Sequence, residues 1–508
     1  MGEAISGEAI QSIVILGGGS AGWMAAALLN AALGRRCGVT VVESAEIGVV
    51  GVGEATIPAI RQFNAMVGLK EPAFMRATRA TLKLGIEFVD WGADGERYLH
   101  PFGVLGGQAS LGIFPQHFLR LLAEAPDANL EDYSVCALAA RQGRAGPTAT
   151  DPASPLSQLM SAYHFDAVLY GRFLRRLAEG RGVRRIEGEV VAVDQRSEDG
   201  FVERLRLKDG REVEGELFID CSGFRGLLIE GALASGYDDW IHWLPVDRAI
   251  AAPCARTRPA EPFTRSIAQE AGWRWRIPLQ HRTGNGYVYY SAFTDDDRAE
   301  AVLREGVDGA LEAEPRKLRF VTGRRRAAWK ANVVALGLAS GFIEPLESTS
   351  LHMVHSGLQA LLKYFPDRSF SPVLRAGYNA AVKGEGELIR DFIILHYHVT
   401  RRSGDPFWDY VRTMPIPDSL AERVALYAER GILASGGDEL FSPSSWLAVM
   451  HGQGLRPRRA SPLYDGVNMA ALVAEYAATA RRLGRSVEAL PPHESYLRDL
   501  GAWADTDV

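Results

Sequence analysis

SIVILGGGSAGWMAAALLNAAL, Ser12 to Leu33, decides the reading of this chain. Ile13 to Leu16 are a short apolar run of the kind buried in a parallel sheet. Gly17, Gly19 and Gly22 follow as GxGxxG, and an alanine-rich helical stretch then runs to Gly34. Such a turn brings backbone amides and a helix amino terminus up to a pyrophosphate. The next apolar segment, VTVVES, ends on Glu43, about 20 residues past the glycines, where a carboxylate can hold a ribose hydroxyl. Strand, glycines, helix, strand and acid arrive in order, so the motif predicts a bound dinucleotide.

Two later segments read as further strands of the same sheet, GEVVAVDQ (Gly188 to Gln195, with Val190) and LFIDCSGFRG (Leu217 to Gly226, with Asp220). A second strand-framed GxGxxG for a nicotinamide cofactor is absent, because GVGEAT (Gly51 to Thr56) and GQGLRP (Gly452 to Pro457) lack that framing. The pattern therefore favours FAD, reduced by something other than this chain.

The bulk numbers bound the remaining classes. A chain of 508 residues is long for one core and predicts two packed modules. A formal net charge of −6 gives no support for nucleic acid or an acidic membrane as partner. Cys37, Cys136, Cys221 and Cys254 are scattered without CxxC or zinc spacing, so no metal is expected and a reducing, cytoplasmic location is. Apolar runs are too short to cross a bilayer, and no signal peptide precedes the first motif.

Three further stretches carry chemistry. In TLKLGIEFVDW, Leu82, Leu84, Ile86 and Phe88 alternate with Lys83, Gly85 and Glu87. This predicts one strand, whose plain reading is a solvated face with a Lys83–Glu87 pair; Gly85 beside the lysine would leave room for a ligand. GWRWRIP, Gly272 to Pro278, predicts a short strand with both indoles on one face and both guanidiniums on the other. GFIEPLESTSLHMVHSGLQALLKYFP leads into a helix, with Ser348 or Thr349 as a natural cap and the amides near Thr349 and Ser350 at a positive helix end.

Taken together, GGGSAGW, GVGEATIP, TLKLGIEF, GWRWRIP and GFIEPLESTS resemble the flavin-dependent tryptophan-halogenase family, in particular its shorter, indole-type members, within the glutathione-reductase-like flavoproteins. WxWxIP together with EPLEST is the specific part. The resemblance implies an α/β fold: a Rossmann-type parallel sheet plus a second sheet, with a mostly helical carboxy-terminal substrate module. It divides the chain into residues 1–370, with substrate-side insertions near 100–155 and 240–310, and 371–508. It implies FAD contacts at Gly17, Gly19, Ser20, Ala21, Gly22, Glu43, Glu54, Ala55, Val190, Asp220, Gly337 and Leu338.

The same resemblance assigns Lys83 to receive hypohalous acid made at the flavin, either as a haloamine or by a hydrogen bond. It assigns Glu347 to orient the halogenating species and accept the ring proton, and the amides of Thr349 and Ser350 to chloride or bromide. Trp273 and Trp275 become a barrier between flavin and substrate, while His100, Pro101, Phe102 and Trp446 line the substrate pocket. Ser350 stands where many tryptophan-specific members have glycine, which separates this chain's halide site from theirs. The family also implies a separate NAD(P)H-dependent flavin reductase and a small aromatic substrate, indole or a substituted indole ahead of free tryptophan; it leaves a homodimer open. The rival readings are an FAD-dependent aromatic monooxygenase and a non-catalytic FAD-binding protein. Neither gives Lys83, Trp273 and Glu347 a common reason.

Overall fold

The computed structural model describes residues 8–44, 54–106, 113–434 and 439–504. Its amino-terminal layer is a six-stranded sheet in the order Trp329–Lys330, Val333–Ala335, Leu217–Asp220, Ser12–Leu16, Gly38–Glu43, Arg184–Glu187. All neighbours are parallel except the Trp329–Lys330 edge. The glycine turn sits between Ser12–Leu16 and helix Ser20–Leu33, whose residues Gly22 to Leu29 are buried. That helix is apolar all round because it packs between helices Ala167–Gly180 and Ser350–Lys363 as well as on the sheet.

The second large sheet has seven strands, in the order Arg316–Arg319, Arg248–Ala255, Arg282–Tyr289, Gly272–Pro278, Thr264–Gln269, Gly85–Val89, Arg97–Pro101. The GWRWRIP strand is thus a central strand. Pro278 ends it, where a missing donor costs least. Past residue 370 the described elements are helices, including Pro372–His398, Asp418–Arg430, Pro443–Gly452 and Met469–Glu488. No described helix is long and apolar enough to cross a membrane.

Two expectations fail here. Val190–Gln195 is not in the parallel sheet; it pairs with Val202–Leu207 in a separate three-stranded antiparallel meander that ends in Glu212–Glu214. TLKLGIEF is two strands in two sheets. Thr81–Lys83 pairs with Ala162–Phe165, which in turn pairs with Glu54–Ala55, and the Leu84 amide leaves the ladder to donate to Pro262 at 2.7 Å. The chain then re-enters pairing as Gly85–Val89 beside Arg97–Pro101. Gly85 permits close approach and makes no room for a ligand: a Cβ there would lie 2.6 Å from the His100 carbonyl oxygen.

Asp220 closes the strand Leu217–Asp220 with its carboxylate turned inward. Oδ1 accepts from the Ser222 amide at 2.9 Å, and Oδ2 accepts from the Leu228 and Ile229 amides, both at 2.8 Å. Asp220→Ala would strand these three donors, and it is expected to lower unfolding stability by about 2–4 kcal/mol, read as an earlier urea midpoint of the flavin-free protein.

Candidate active site

A peptide at the start of helix Ser350–Lys363 organises the site. Glu347 (φ 65°) and Ser348 (φ 60°) are consecutive non-glycine residues in the left-handed region. Each such residue costs on the order of 1 kcal/mol or more, strain that clusters at functional sites. The turn points the two side chains at different partners. Ser348 Oγ accepts from Lys83 Nζ at 2.9 Å. Glu347 Oε1 accepts from His100 Nδ1 at 2.9 Å and His396 Nε2 at 3.0 Å, while Oε2 is buried with no partner among the described residues.

Three separate elements converge on that turn. Lys83 ends the short strand of the small sheet, fully buried, with Nζ 5.3 Å from the Phe102 ring centroid. His100 and Pro101 end the edge strand Arg97–Pro101, and Pro101 faces Gly85. His396 comes from the last turn of helix Pro372–His398; its Nδ1 lies 2.8 Å from the Phe392 carbonyl, which can only accept, so Nδ1 carries a proton.

Electrostatics separate the lysine from the glutamate. Burial pushes the Lys83 amine down to about 7, with the Glu347 charge partly opposing it. Burial alone would raise the Glu347 carboxyl, but the charge and hydrogen bond of His100, and then those of His396, hold it well below the usual carboxylate range. The expected Lys83–Glu87 pair does not form. Glu87 is buried against Arg141 and Arg265 on the larger sheet. The histidine contacts with Glu347 were not legible in sequence. For His396 the available signal was a polar residue one turn past Phe392 inside the otherwise apolar run FIILHY.

On one side of the turn, aromatic rings cluster beside His100. His100 lies 5.6 Å from Phe392 and 6.3 Å from Phe441; Phe392 stacks on Phe441 at 3.8 Å and meets Trp446 edge-on at 5.0 Å. Arg423 sits 4.8 Å over Trp446 and is bound to Glu439. Trp408 is core: it packs on Trp91 and donates Nε1 to the Gln269 carbonyl at 2.7 Å. Residues 435–438 of the loop Ala434 to Trp446 lie outside the described residues.

On the other side are the indoles of GWRWRIP. Trp273 and Trp275 are 2% and 6% exposed, with ring centroids 6.2 Å apart, on the same face of their strand as expected. Trp273 Nε1 donates to Glu344 Oε2 at 2.9 Å. Thr349 and Ser350 begin helix Ser350–Lys363, so their amides have no intrahelical partner. The expected cap is not made: Thr349 occupies the cap position without a side-chain bond, its buried Oγ1 has no partner among the described residues, and the Ser348 hydroxyl is held by Lys83.

The glycine turn fits a dinucleotide. A Cβ on Gly22 would lie 1.8 Å from the Gly17 carbonyl oxygen, so helix and strand meet there only because it is glycine. Around Gly19 the space is open, in front of the amides of Ser20 and Ala21. Gly337 comes against Ala21, a Cβ there lying 2.9 Å from the Ala21 Cβ, which brings Gly337 and Leu338 to the same helix start. Glu43 ends its strand beside Gly18, with Oε1 bound by Arg175 and Arg185 and Oε2 accepting from Trp23 Nε1 at 3.2 Å. Glu54, next to Ala55 in the small sheet, has its carboxyl raised by burial to about 7, whereas residues 51–53 of its motif lie outside the described residues. Val190 is partly buried in the meander.

A glycine turn on a parallel sheet that fits a dinucleotide, in one chain with a buried amine and a buried acid on a strained turn, defines a dinucleotide-binding protein with a candidate catalytic site. Comparison with known proteins narrows that class. The tryptophan halogenase family matches residues 12–469. A tryptophan 6-halogenase of Streptomyces toxytricini, SttH, is 36% identical over 96% of this chain and 98% of its own. Among solved structures, the flavin-dependent halogenase BrvH of Brevundimonas sp. BAL3 is 43% identical, with a TM-score of 0.93 over 97% of this chain and 99% of its own. Xcc4156, a flavin-dependent halogenase of Xanthomonas campestris, is likewise 43% identical, with a TM-score of 0.94 over 99% of this chain and all of its own. The chain belongs to the tryptophan halogenase family and is a flavin-dependent halogenase.

The buried amine sets a stability prediction. The Lys83 pKa is depressed in the folded state, from 10.5 to about 7, so the unfolded chain binds the proton more tightly between those limits. The penalty is full below pH 7 and disappears as pH rises to 10.5. Lys83→Met is therefore expected to be more stable than the parent by about 1–3 kcal/mol near neutrality, the gap closing in alkaline buffer when urea midpoints are compared across pH.

Proposed function

We propose that this halogenase transfers halogen to a neutral, electron-rich aromatic, indole or a substituted indole, with Lys83 and Glu347 as its catalytic residues. The observation that carries the reading is the buried pair of groups on the strained turn: the Lys83 amine beside Ser348, and the unpaired Glu347 Oε2. Bound FAD, reduced by a separate NAD(P)H-dependent reductase, supplies hypohalous acid from oxygen and halide.

Lys83 acts on that acid in one of two ways. A neutral amine takes the halogen and releases water; the haloamine nitrogen then takes up one proton from solvent as the halogen passes to the ring, returning as free amine, and the proton later lost by the ring is left for a separate base. A protonated amine instead holds the acid by a hydrogen bond. A pKa of about 7 populates both forms near neutrality. Glu347 Oε2 then accepts the ring proton. The low carboxyl pKa is no obstacle, because the cationic ring that loses the proton is a far stronger acid. The free amides of Thr349 and Ser350, at a positive helix end, are the halide site, and chloride and bromide both suit it. Trp273 and Trp275 keep the aromatic away from the flavin.

The aromatic chamber supports the substrate class. His100, Phe102, Phe392, Phe441 and Trp446 present ring surfaces. Free tryptophan would bring an ammonium and a carboxylate needing fixed partners, and the charged groups nearest Trp446, Arg423 and Glu439, are bound to each other.

Supplied with reduced FAD from an unrelated reductase, oxygen, bromide and either indole or tryptophan, the enzyme is expected to give bromoindole faster than bromotryptophan by mass spectrometry. A product heavier by one oxygen would instead mean hydroxylation. Lys83→Ala is expected to abolish bromination while flavin oxidation continues, and Glu347→Gln to slow bromination by about 10²–10⁴-fold. Bromoindole formed by Lys83→Ala would overturn the assignment.

A further inference from the structure

Glu344 stands three residues before Glu347 on the same segment, fully buried, and the reaction steps above leave it unused. Its Oε2 accepts from Trp273 Nε1 at 2.9 Å and from Tyr397 Oη at 2.8 Å; Oε1 is buried without a partner among the described residues. An acid in such a place is unfavourable against an apolar residue of the same size, so its retention calls for a partner that needs an acceptor. Two are present, and one is an indole of the wall between flavin and substrate.

The other donor ties that wall to the catalytic acid. Tyr397 follows His396 in helix Pro372–His398, so adjacent residues bind Glu344 and Glu347. Trp91 packs against all three rings concerned, Trp273 at 6.2 Å, His396 at 6.2 Å and Tyr397 at 5.4 Å. Gln453 Nε2 fixes the helix end by donating to the His396 carbonyl at 2.8 Å. Trp275, by contrast, has its buried Nε1 unpartnered among the described residues and is held by packing over Gly286, where a Cβ would overlap its ring. Among the described residues, Trp273 is thus the barrier indole fixed by a hydrogen bond.

We propose that Glu344 is a positioning residue for halogenation, clamping the Trp273 indole so that the wall stays closed to the aromatic and the oxidised halogen is delivered to the Lys83 side. The inference rests on the barrier reading of Trp273. The carboxyl of Glu344 is raised to about 7 by burial, against the two hydrogen bonds, which suits an acceptor with neutral donors. What matters for the clamp is the oxygen, and an amide can supply it.

The experiment follows the fate of each flavin oxidised by the holoenzyme with bromide and indole. It measures the fractions appearing as bromoindole, as hydroxylated indole, and as free hypobromous acid caught by added monochlorodimedone. Glu344→Leu is expected to raise the two unproductive fractions severalfold, whereas Glu344→Gln, which keeps the acceptor, stays within about twofold of the parent. Trp273→Phe removes the donor but keeps a ring; it should match Glu344→Leu, and combining the two should add nothing further. If Glu344→Leu does not fold, the Trp273→Phe and Glu344→Gln pair carries the same comparison. Trp273→Ala tests the barrier alone: parental partition there would overturn the barrier reading and this proposal with it. Leakage in Trp273→Ala with parental partition in Glu344→Leu and Trp273→Phe, or additive leakage in their combination, would overturn the clamp only.

Discussion

The left-handed turn at Glu347 and Ser348 is the constraint on which the site depends. Two consecutive positive φ angles without glycine are unfavourable, and they persist because three other side chains over-determine them. His100 and His396 hold the first residue of the turn and Lys83 holds the second. Each partner arrives on a different element: an edge strand of the large sheet, a long helix, and the end of a strand in the small sheet. Release of any one would let the turn relax toward the helix that follows it. The chemistry thus rests on tertiary closure around one dipeptide.

That dependence explains what the sequence could and could not reveal. The glycine turn was legible because all its parts lie within one strand–turn–helix unit, and the helix start it predicts is the one observed. Lys83, Glu347 and the two tryptophans could be singled out only through a resemblance spanning several motifs; taken singly, a lysine in an alternating strand reads as surface, and the structure buries it. The alternation in TLKLGIEF misled for a physical reason. Period two is preserved across the break at Leu84, yet the hydrogen bonds switch from one sheet to another there, and that switch buries Lys83 and Glu87. The misassignment of Val190–Gln195 has the same origin, since a strand's sheet is set by its partners and not by its own residues. His396, Phe392 and Phe441 were missed because their roles exist only through contacts between distant parts of the chain.

The glycine turn and the turn at Glu347 are linked through packed elements. The helix Ser350–Lys363 packs on the helix that follows the glycine turn, and the left-handed turn Glu347–Ser348 leads directly into its start. The large sheet contributes the tryptophan strand from its centre and His100 from its edge.

Glu344 and Glu347 show how local partners, more than burial, set the charge of an acid. Both are at most 2% exposed and lie on one short segment, and burial alone would raise both. Glu344 is held by an indole N–H and a phenol, neutral donors that favour its anion only weakly, and it titrates near 7. Glu347 is held by two imidazoles, which can carry charge, and stays ionised. One segment thereby carries an acid that titrates near 7 beside Trp273 and an acid that stays ionised beside two histidines. For Glu347 the first of these partners is His100, with His396 second; Tyr397, the neighbour of His396, instead donates to Glu344.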